Sequence, residues 1–358
     1  AAGYTPPDDT PSFKVGVVIY GSYTYNDSPL ITDTDGNVVH LSTFDVTRAY
    51  INVTGNISHL IAYRVTPDIN RQTTTVSGGA TGEKVTTSND GSLVFRLKYA
   101  YGQFNLDDAI TKGSFIRAGL IQTPWIDYAE SVYRYRFQGK TWLDQEGYLT
   151  SADFGVAARV AFPKDYGDVW VGYYNGDGYT KAEPNDQKGF QIRGSVRPLA
   201  EMDVLKGIRV AAFYDADNYV QNGDRKRFVV EGSFQHKYVD LGVDYLDAKD
   251  APSAKGPDVH GQGVSIFVNP KTPMGLEGIF RYDNLKPNKD FDAKKKRTVL
   301  GLAYWFTVKE GTSARAAILA DYENVTYDTL PTGATASPIV ALGKPGEKRY
   351  SVHTLFTF

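Results

Sequence analysis

Apolar and polar side chains alternate with a period of two from one end of this chain to the other. In the first clear run Phe13, Val15, Val17, Ile19 and Tyr23 share one face, and Lys14, Gly16, Tyr20, Ser22 and Thr24 share the other. Near the end Ala314, Ala316, Ile318, Ala320 and Tyr322 alternate with Arg315, Asp321 and Glu323, and Tyr350, Val352, Phe356 and Phe358 oppose Arg349, Ser351, His353 and Thr357. Two residues is the side-chain period of a β-strand, and no segment sustains an amphipathic helix. The fold class is therefore all-β, with one greasy and one polar face on each strand. Two architectures satisfy this: a soluble sandwich with the greasy faces inside, or a closed barrel with them turned out into lipid.

The connections between the runs favour the barrel. About sixteen strands are expected, at 13–25, 43–56, 57–67, 92–104, 114–124, 151–163, 168–175, 188–198, 207–216, 226–236, 238–247, 261–270, 274–284, 297–308, 313–324 and 348–358. After odd strands the connections are long: 26–42, 70–91, 125–150, 176–187, 217–225, 248–260, 285–296 and 325–347. After even strands they are mostly short, as near Gly55-Asn56, Pro163-Lys164-Asp165, Lys237 and Lys309-Glu310-Gly311, with 105–113 the longest. An antiparallel outer-membrane barrel that starts on its periplasmic side sorts its loops in this way, with short turns inside and long loops outside. A sandwich has no reason to do so. The expectation is one transmembrane barrel domain over residues 1–358.

Composition agrees. Aromatics reach 13% of the 358 residues, with 25 Tyr against 2 Met, a bias that suits pleated surfaces. No run approaches the roughly eighteen apolar residues of a spanning helix, but a barrel strand needs only about ten, half of them apolar. The net charge of −2 gives no electrostatic case for a nucleic-acid partner, and the absence of cysteine suits export through an oxidising compartment. Ala1-Ala2-Gly3-Tyr4 reads as a start left after processing.

Aromatics also fall at strand ends. Tyr23, Tyr63, Trp125, Tyr173, Tyr214, Tyr245, Tyr282 and Tyr322 suggest one girdle at a lipid–water boundary, and Phe13, Phe162, Phe234, Phe306 and Phe358 the other. The cations are sorted too. Lysine concentrates in turns, whereas the polar strand faces carry Arg48, Arg64, Arg96, Arg117, Arg159, Arg193, Arg197, Arg209, Arg227, Arg281, Arg297, Arg315 and Arg349. With Lys98, Glu231 and Asp321 these are the expected pore-lining residues. Planar guanidinium groups that pair with carboxylates suit the wall of a narrow aqueous channel.

On these residues the chain resembles the sixteen-stranded bacterial porins, in particular the branch of the phosphate-selective porins. The segment Phe44 to Asn70 is similar to their second and third strands, and Arg117 to Trp125 to the strand that enters the long third loop. Tyr173 to Gly178, Phe280 to Asp283 and the terminal Phe358 are also similar. The resemblance implies a bacterial outer-membrane homotrimer without cofactor and without chemistry, which passes small hydrophilic solutes. It also implies that Phe358 is read by the barrel-assembly machinery, and that residues 125–150 fold inward to narrow the pore. That loop carries Asp127, Glu130, Arg134, Arg136, Lys140, Asp144 and Glu146, interleaved with Tyr128, Tyr133, Tyr135 and Phe137. Charges of both signs at a constriction set up a transverse field that filters charged solutes. A phosphate-selective site is not expected, because this loop is balanced and the strand faces also carry acids such as Asp153, Asp244, Glu277 and Glu323. Arginines still outnumber those acids, so the expectation is mild anion preference.

Other patterns are turn chemistry. Asp33-Thr34-Asp35-Gly36-Asn37 lacks the distal glutamate of a calcium loop, and Gly78 to Lys84 lacks the Ser/Thr and helix of a phosphate-binding loop. The five histidines show no ligand spacing, and no nucleophile elbow is present. No metal site is expected, and enzymatic activity is not. The competing reading is a non-transport barrel, an adhesin, receptor or enzyme, whose lumen the long loops plug.

Overall fold

In the computed structural model, which describes residues 9–71, 92–307 and 313–358, the alternating segments form one closed antiparallel barrel of sixteen strands. They are β1 (Ser12–Ser28), β2 (Ser42–Asn56), β3 (Ile61–Arg71), β4 (Leu93–Asn105), β5 (Phe115–Gln122), β6 (Ala152–Ala161), β7 (Gly167–Tyr174) and β8 (Gly189–Val196), followed by β9 (Ile208–Val220), β10 (Gly223–His236), β11 (Val239–Asp250), β12 (Val259–Pro270), β13 (Leu276–Lys286), β14 (Lys295–Trp305), β15 (Arg315–Tyr327) and β16 (Glu347–Thr357). Each pairs with its sequence neighbour, and β16 closes on β1 in a register running from Val18↔Thr357 to Ser28↔Lys348. The terminal Phe358 extends the seam by exchanging two backbone hydrogen bonds with Val17. Closure leaves no strand edge, which is the condition for a sheet to sit in hydrocarbon. No helix among the described residues is long and apolar enough to cross a membrane.

The greasy faces point outward. Phe13 (68% exposed), Phe44 (83%), Tyr173 (59%), Leu302 (61%) and Phe356 (48%) stand on the outer wall. Inward positions of β8 to β15 are buried with few breaks, although many are charged: Arg193, Asp215, Arg227, Glu231, Asp244, Arg281, Asp283, Asp321 and Glu323. This is inside-out relative to a sandwich, whose core would hold the Phe and Val faces instead. Of the proposed girdle, Tyr23, Tyr173, Tyr214 and Tyr245 fit, but two members do not. Trp125 is buried (1% exposed) in the loop after β5, and Tyr63 lies near the start of β3, opposite Gly102, at the other end of the barrel.

Call the end carrying Ser12 and Phe358 the base, and the other the far rim. Connections at the far rim include 29–41, 123–151, 175–188 and 328–346, and at the base 57–60, 162–166 and 237–238. Two connections depart from the alternation. Residues 217–225 are not a loop: β9 and β10 stay paired to Val220↔Gly223 around Gln221-Asn222, with Asn222 at φ 63°. The Asn-Gly pair at 222–223 is a tight-turn signal that a composition-based boundary overrode. At the base, 197–207 outruns 106–114. Residues 72–91, 308–312 and the N-terminal Ala1 to Tyr4 lie outside the described residues. In the 29–41 connection Asp33 accepts hydrogen bonds from the backbone of Asp35 and Asn37 and from the Asn37 amide, which is turn closure.

Gly167 at the start of β7 has φ 139°, and a Cβ there would stand 2.0 Å from the Ser195 carbonyl oxygen on β8. Gly167→Ala is expected to cost about 1–3 kcal/mol from backbone strain alone, with the clash added. A lower urea midpoint on refolding in detergent checks it; an unchanged midpoint would show that β7 and β8 move apart freely.

Candidate channel and its inward-folded loop

The connection from β5 to β6 does not project from the far rim. Its first part is α1 (Pro124–Val132), started by Pro124 after an extended Thr123, and its second is the short α2 (Trp142–Gln145). Both turn their apolar side chains onto the inner wall. Trp125 packs on Phe213 of β9 with ring centroids 5.7 Å apart, Tyr133 on Phe267 of β12 at 5.2 Å, and Phe137 on Trp305 of β14 at 5.9 Å. Ile126, Val132, Trp142, Leu143, Tyr148 and Leu149 join Val229, Leu246, Leu285, Val299 and Leu319 in the same core. The barrel thus carries a hydrophobic core inside its polar lumen, confined to one half of the circumference. Fully burying each such side chain is worth about 1.5–3 kcal/mol, so the loop is held by packing first.

Polar contacts fix its register. The Gln235 amide donates to the Ser131 carbonyl near the base, and at the deepest stretch Arg134 and the Tyr135 hydroxyl both bond Glu277 of β13. Gln138 donates to Asp321 at 2.7 Å, and Arg281 to the Lys140 carbonyl at 2.8 Å. On the return to the far rim Glu146 accepts from Lys295 at 2.6 Å, with Arg297 at 3.4 Å. Burial pushes the Tyr133 hydroxyl up to about 12. Burial, then the bond to Glu277, raises that of Tyr135, so both phenols stay neutral and Tyr135 donates to Glu277.

The remaining loop charges neutralise one another. Arg136 Nε bonds Glu130 at 2.9 Å, Arg136 Nη2 lies 3.8 Å from Asp144, and Lys140 bonds Asp144 at 2.8 Å. Burial alone would lower the Arg136 guanidinium, but Glu130, Tyr50 and Asp144 outweigh it and raise it. Asp127 is exposed, facing away from the apolar core.

The other half of the interior is different. On β1 to β4 the inward residues Gly16, Ser22, Thr24, Asn52, Thr54, Arg64, Arg96, Tyr101 and Gln103 remain half-exposed, whereas Tyr50, Thr66, Asp68, Lys98 and Tyr99 on the same strands are buried. Arg48 and Arg96 share the buried Asp68, at 3.1 and 2.9 Å. Arg64 bonds only neutral partners, Asn52 and Thr66, over the Tyr99 ring. Arg117 bonds Gln103 and Gln122 above Phe115. Lys98 is buried between the rings of Tyr50 and Tyr99.

The expected wall residues therefore divide. Arg48, Arg64, Arg96 and Arg117 border the open half. Lys98, Arg193, Arg227, Glu231, Arg281, Arg297 and Asp321 are buried, most beneath the loop or in ion pairs such as Arg227–Asp250 and Arg281–Asp283, so they do not face open water. Burial thus sets these seven of the expected lining residues apart from the four arginines of the open half. Arg159 is half-exposed beside Asp168, Arg209 lies against Tyr128, and Arg349 pairs with Glu323. Arg197 and Arg315 sit at the base, the latter exposed. Sequence reasoning missed Asp68, which lies one residue beyond the expected end of its strand, and the aromatic lining of Tyr20, Tyr50 and Tyr99.

No protein-family model matches this sequence, and no curated protein matches it. Solved structures do match in fold. An outer-membrane-expressed OmpT of Vibrio cholerae aligns over 98% of each chain at 13% identity, with a TM-score of 0.63. An anion-selective porin from Comamonas acidovorans aligns over 98% of this chain and 100% of its own at 10% identity, TM-score 0.61. OmpF of Salmonella typhi, solved with daunomycin, aligns over 97% of each at 14% identity, TM-score 0.60. The architecture is that of the outer-membrane β-barrels, shared with porins along the whole chain. At these identities the likeness is one of fold.

Proposed function

We propose that the chain is an outer-membrane porin, a water-filled channel for passive diffusion of small hydrophilic solutes with a mild preference for anions. The observation that carries this reading is the asymmetry of the interior: the loop is bound to β8–β15 and leaves much of the β1–β4 wall polar and half-exposed. A plug evolved to block the lumen would be expected to cover both halves. The anion preference rests on how the charges divide. Nearly all the inward acids of β8–β15 are buried, many already paired with cations, while the open half carries Arg48, Arg64, Arg96 and Arg117 against Asp68 and Asp45. Fixed cations along a narrow aqueous path raise the local anion concentration. The loop would be the constriction, with Glu130 and Arg136 as its polar edge. A homotrimer in bacterial outer-membrane lipid is part of the reading, supported by the exposed apolar outer wall and by a trimer form of the OmpT neighbour. So are delivery through the barrel-assembly machinery by Phe358 and the absence of catalysis. Phosphate selectivity is not part of it.

Purified protein in planar bilayers is expected to give stepwise conductance without added ligand. Under a tenfold KCl gradient the reversal potential should fall on the chloride side. Negligible conductance would instead favour a plugged adhesin, receptor or enzyme, and clear cation selectivity would reject the charge argument.

A further inference from the structure

On the base side of the folded loop, away from the open half, a polar cavity of about 330 Å³ lies between the β4–β5 turn and β9. We propose that it is a binding subsite for a small oxyanion, a carboxylate or phosphate head group, held by Arg209, Arg159 and Lys112. The proposal rests on the porin reading for its purpose but not for its chemistry.

Five cations border the cavity: Lys112, Arg159, Arg193, Arg197 and Arg209. Their carboxylate partners are fewer and largely engaged. Asp168 takes both Arg193 Nη groups, at 2.7 and 2.5 Å, together with Arg159 Nε at 2.6 Å and the Ser195 hydroxyl. Saturated in this way, Asp168 fixes two guanidinium planes and leaves both Arg159 Nη groups unbonded. Asp165 lies 3.5 Å from Arg197 at the mouth. Arg209 and Lys112 have no such bond, although the buried Glu231 of β10 acts electrostatically on Arg209. Among the described inward residues only Arg209 and Arg315, exposed at the base, are arginines without a hydrogen bond, and Lys112 has no ion-pair partner.

Arg209 is nonetheless positioned. The Tyr128 ring of α1 stands between two guanidinium groups, with Arg193 5.1 Å and Arg209 5.5 Å from its centroid. The Nε of Arg193, which is 3% exposed, is buried beside the cavity without a partner. A structural arginine in this barrel finds a carboxylate, amide or carbonyl, as Arg227, Arg281 and Arg117 do. A pre-positioned fork that finds none, in a cavity where cations outnumber acids, is complementary to a planar or tetrahedral oxyanion. The volume suits a solute of a few heavy atoms and excludes oligosaccharides. Asp127 at the cavity edge is exposed and works against a bound anion, which keeps the site weak, as a transport subsite must be to release its solute.

The test is calorimetric titration of detergent-solubilised protein with inorganic phosphate and, separately, with succinate, at constant ionic strength. Saturable binding of either is expected, and the probe that binds names the head group. Arg209→Gln with Lys112→Gln should weaken it about tenfold or more, since each lost bond is charge-assisted. An unchanged urea midpoint of that variant would show that the barrel is intact, and Arg315→Gln serves as a control expected to bind normally. Absence of saturable heat in the wild-type protein, undiminished binding in the double variant, or equal loss in Arg315→Gln would overturn the subsite. Conductance without binding sinks the subsite and leaves the channel standing; binding without conductance does the reverse.

Discussion

Exchanging Arg64 and Arg117 together for glutamate is expected to move the reversal potential under a KCl gradient from the chloride side to the potassium side. These two are chosen because their charges are uncompensated. Arg48 and Arg96 share Asp68, so that cluster carries one net positive charge spread over two guanidinium groups. Arg64 and Arg117 bond only amides and hydroxyls, and each presents its full charge to the half-exposed wall. Two charge reversals change the open half by four units. Two unit charges about 4 Å apart interact by about 4 kcal/mol at an effective dielectric of 20, so the change exceeds a mild preference. Folding should survive, because neither arginine holds a buried carboxylate, whereas replacing Arg48 and Arg96 would strand Asp68, which is 0% exposed. Arg227→Gln with Asp250→Asn, which removes a buried pair beneath the loop as a unit, is the contrast and should leave selectivity where it was. If the double variant keeps the wild-type reversal potential, permeating ions do not pass along β3 to β5, and the open-half pathway is wrong.

The barrel was legible because its signal is redundant. Period-two alternation repeats in every strand, and a slip of one residue would turn a whole greasy face into the lumen. Strand number and order therefore follow from the alternation, even though β9–β10 is cut short where Asp217 reads as a loop residue. It is a buried inward strand position, polar because the inside of this fold is polar. The loop was harder to read. Its aromatics look like any aromatic-rich segment, and Trp125 was placed in a lipid girdle because it follows a strand. What makes it an interior residue is Phe213, nearly ninety positions away in sequence, and local pattern carries no trace of that pairing. The same limit applies to the wall charges. Alternation tells which way Arg227 and Arg64 point, and both point inward; only the path of the loop decides that one is buried and the other meets water.

That path gives the second large effect. Glu277→Ala is expected to raise open-channel conductance and current noise while leaving the unfolding midpoint of the barrel nearly unchanged. Glu277 is the acceptor at the deepest point of the loop, bonding Arg134 and Tyr135 at once. Tyr135 is 0% exposed, so its hydroxyl would have no other partner, and the Arg134 guanidinium would be left over the Trp305 ring at 4.3 Å. Breaking a buried pair in this manner costs roughly 3–5 kcal/mol, and the lower end applies because Arg134 is partly exposed and screened. A cost of that size shifts the ratio of docked to undocked loop by about a hundredfold or more. It falls on the loop, since the ladder between β12, β13 and β14 is backbone and does not use the Glu277 side chain. Glu277→Gln, which keeps an acceptor for the phenol, should lie between. Asp321→Asn, which weakens the amide bond of Gln138 and the 3.3 Å contact of Asp321 with His353, should do less. Single-channel recordings order the four proteins, and equal conductance and noise across the series would show that packing around Trp125, Tyr133 and Phe137 alone sets the position of the loop.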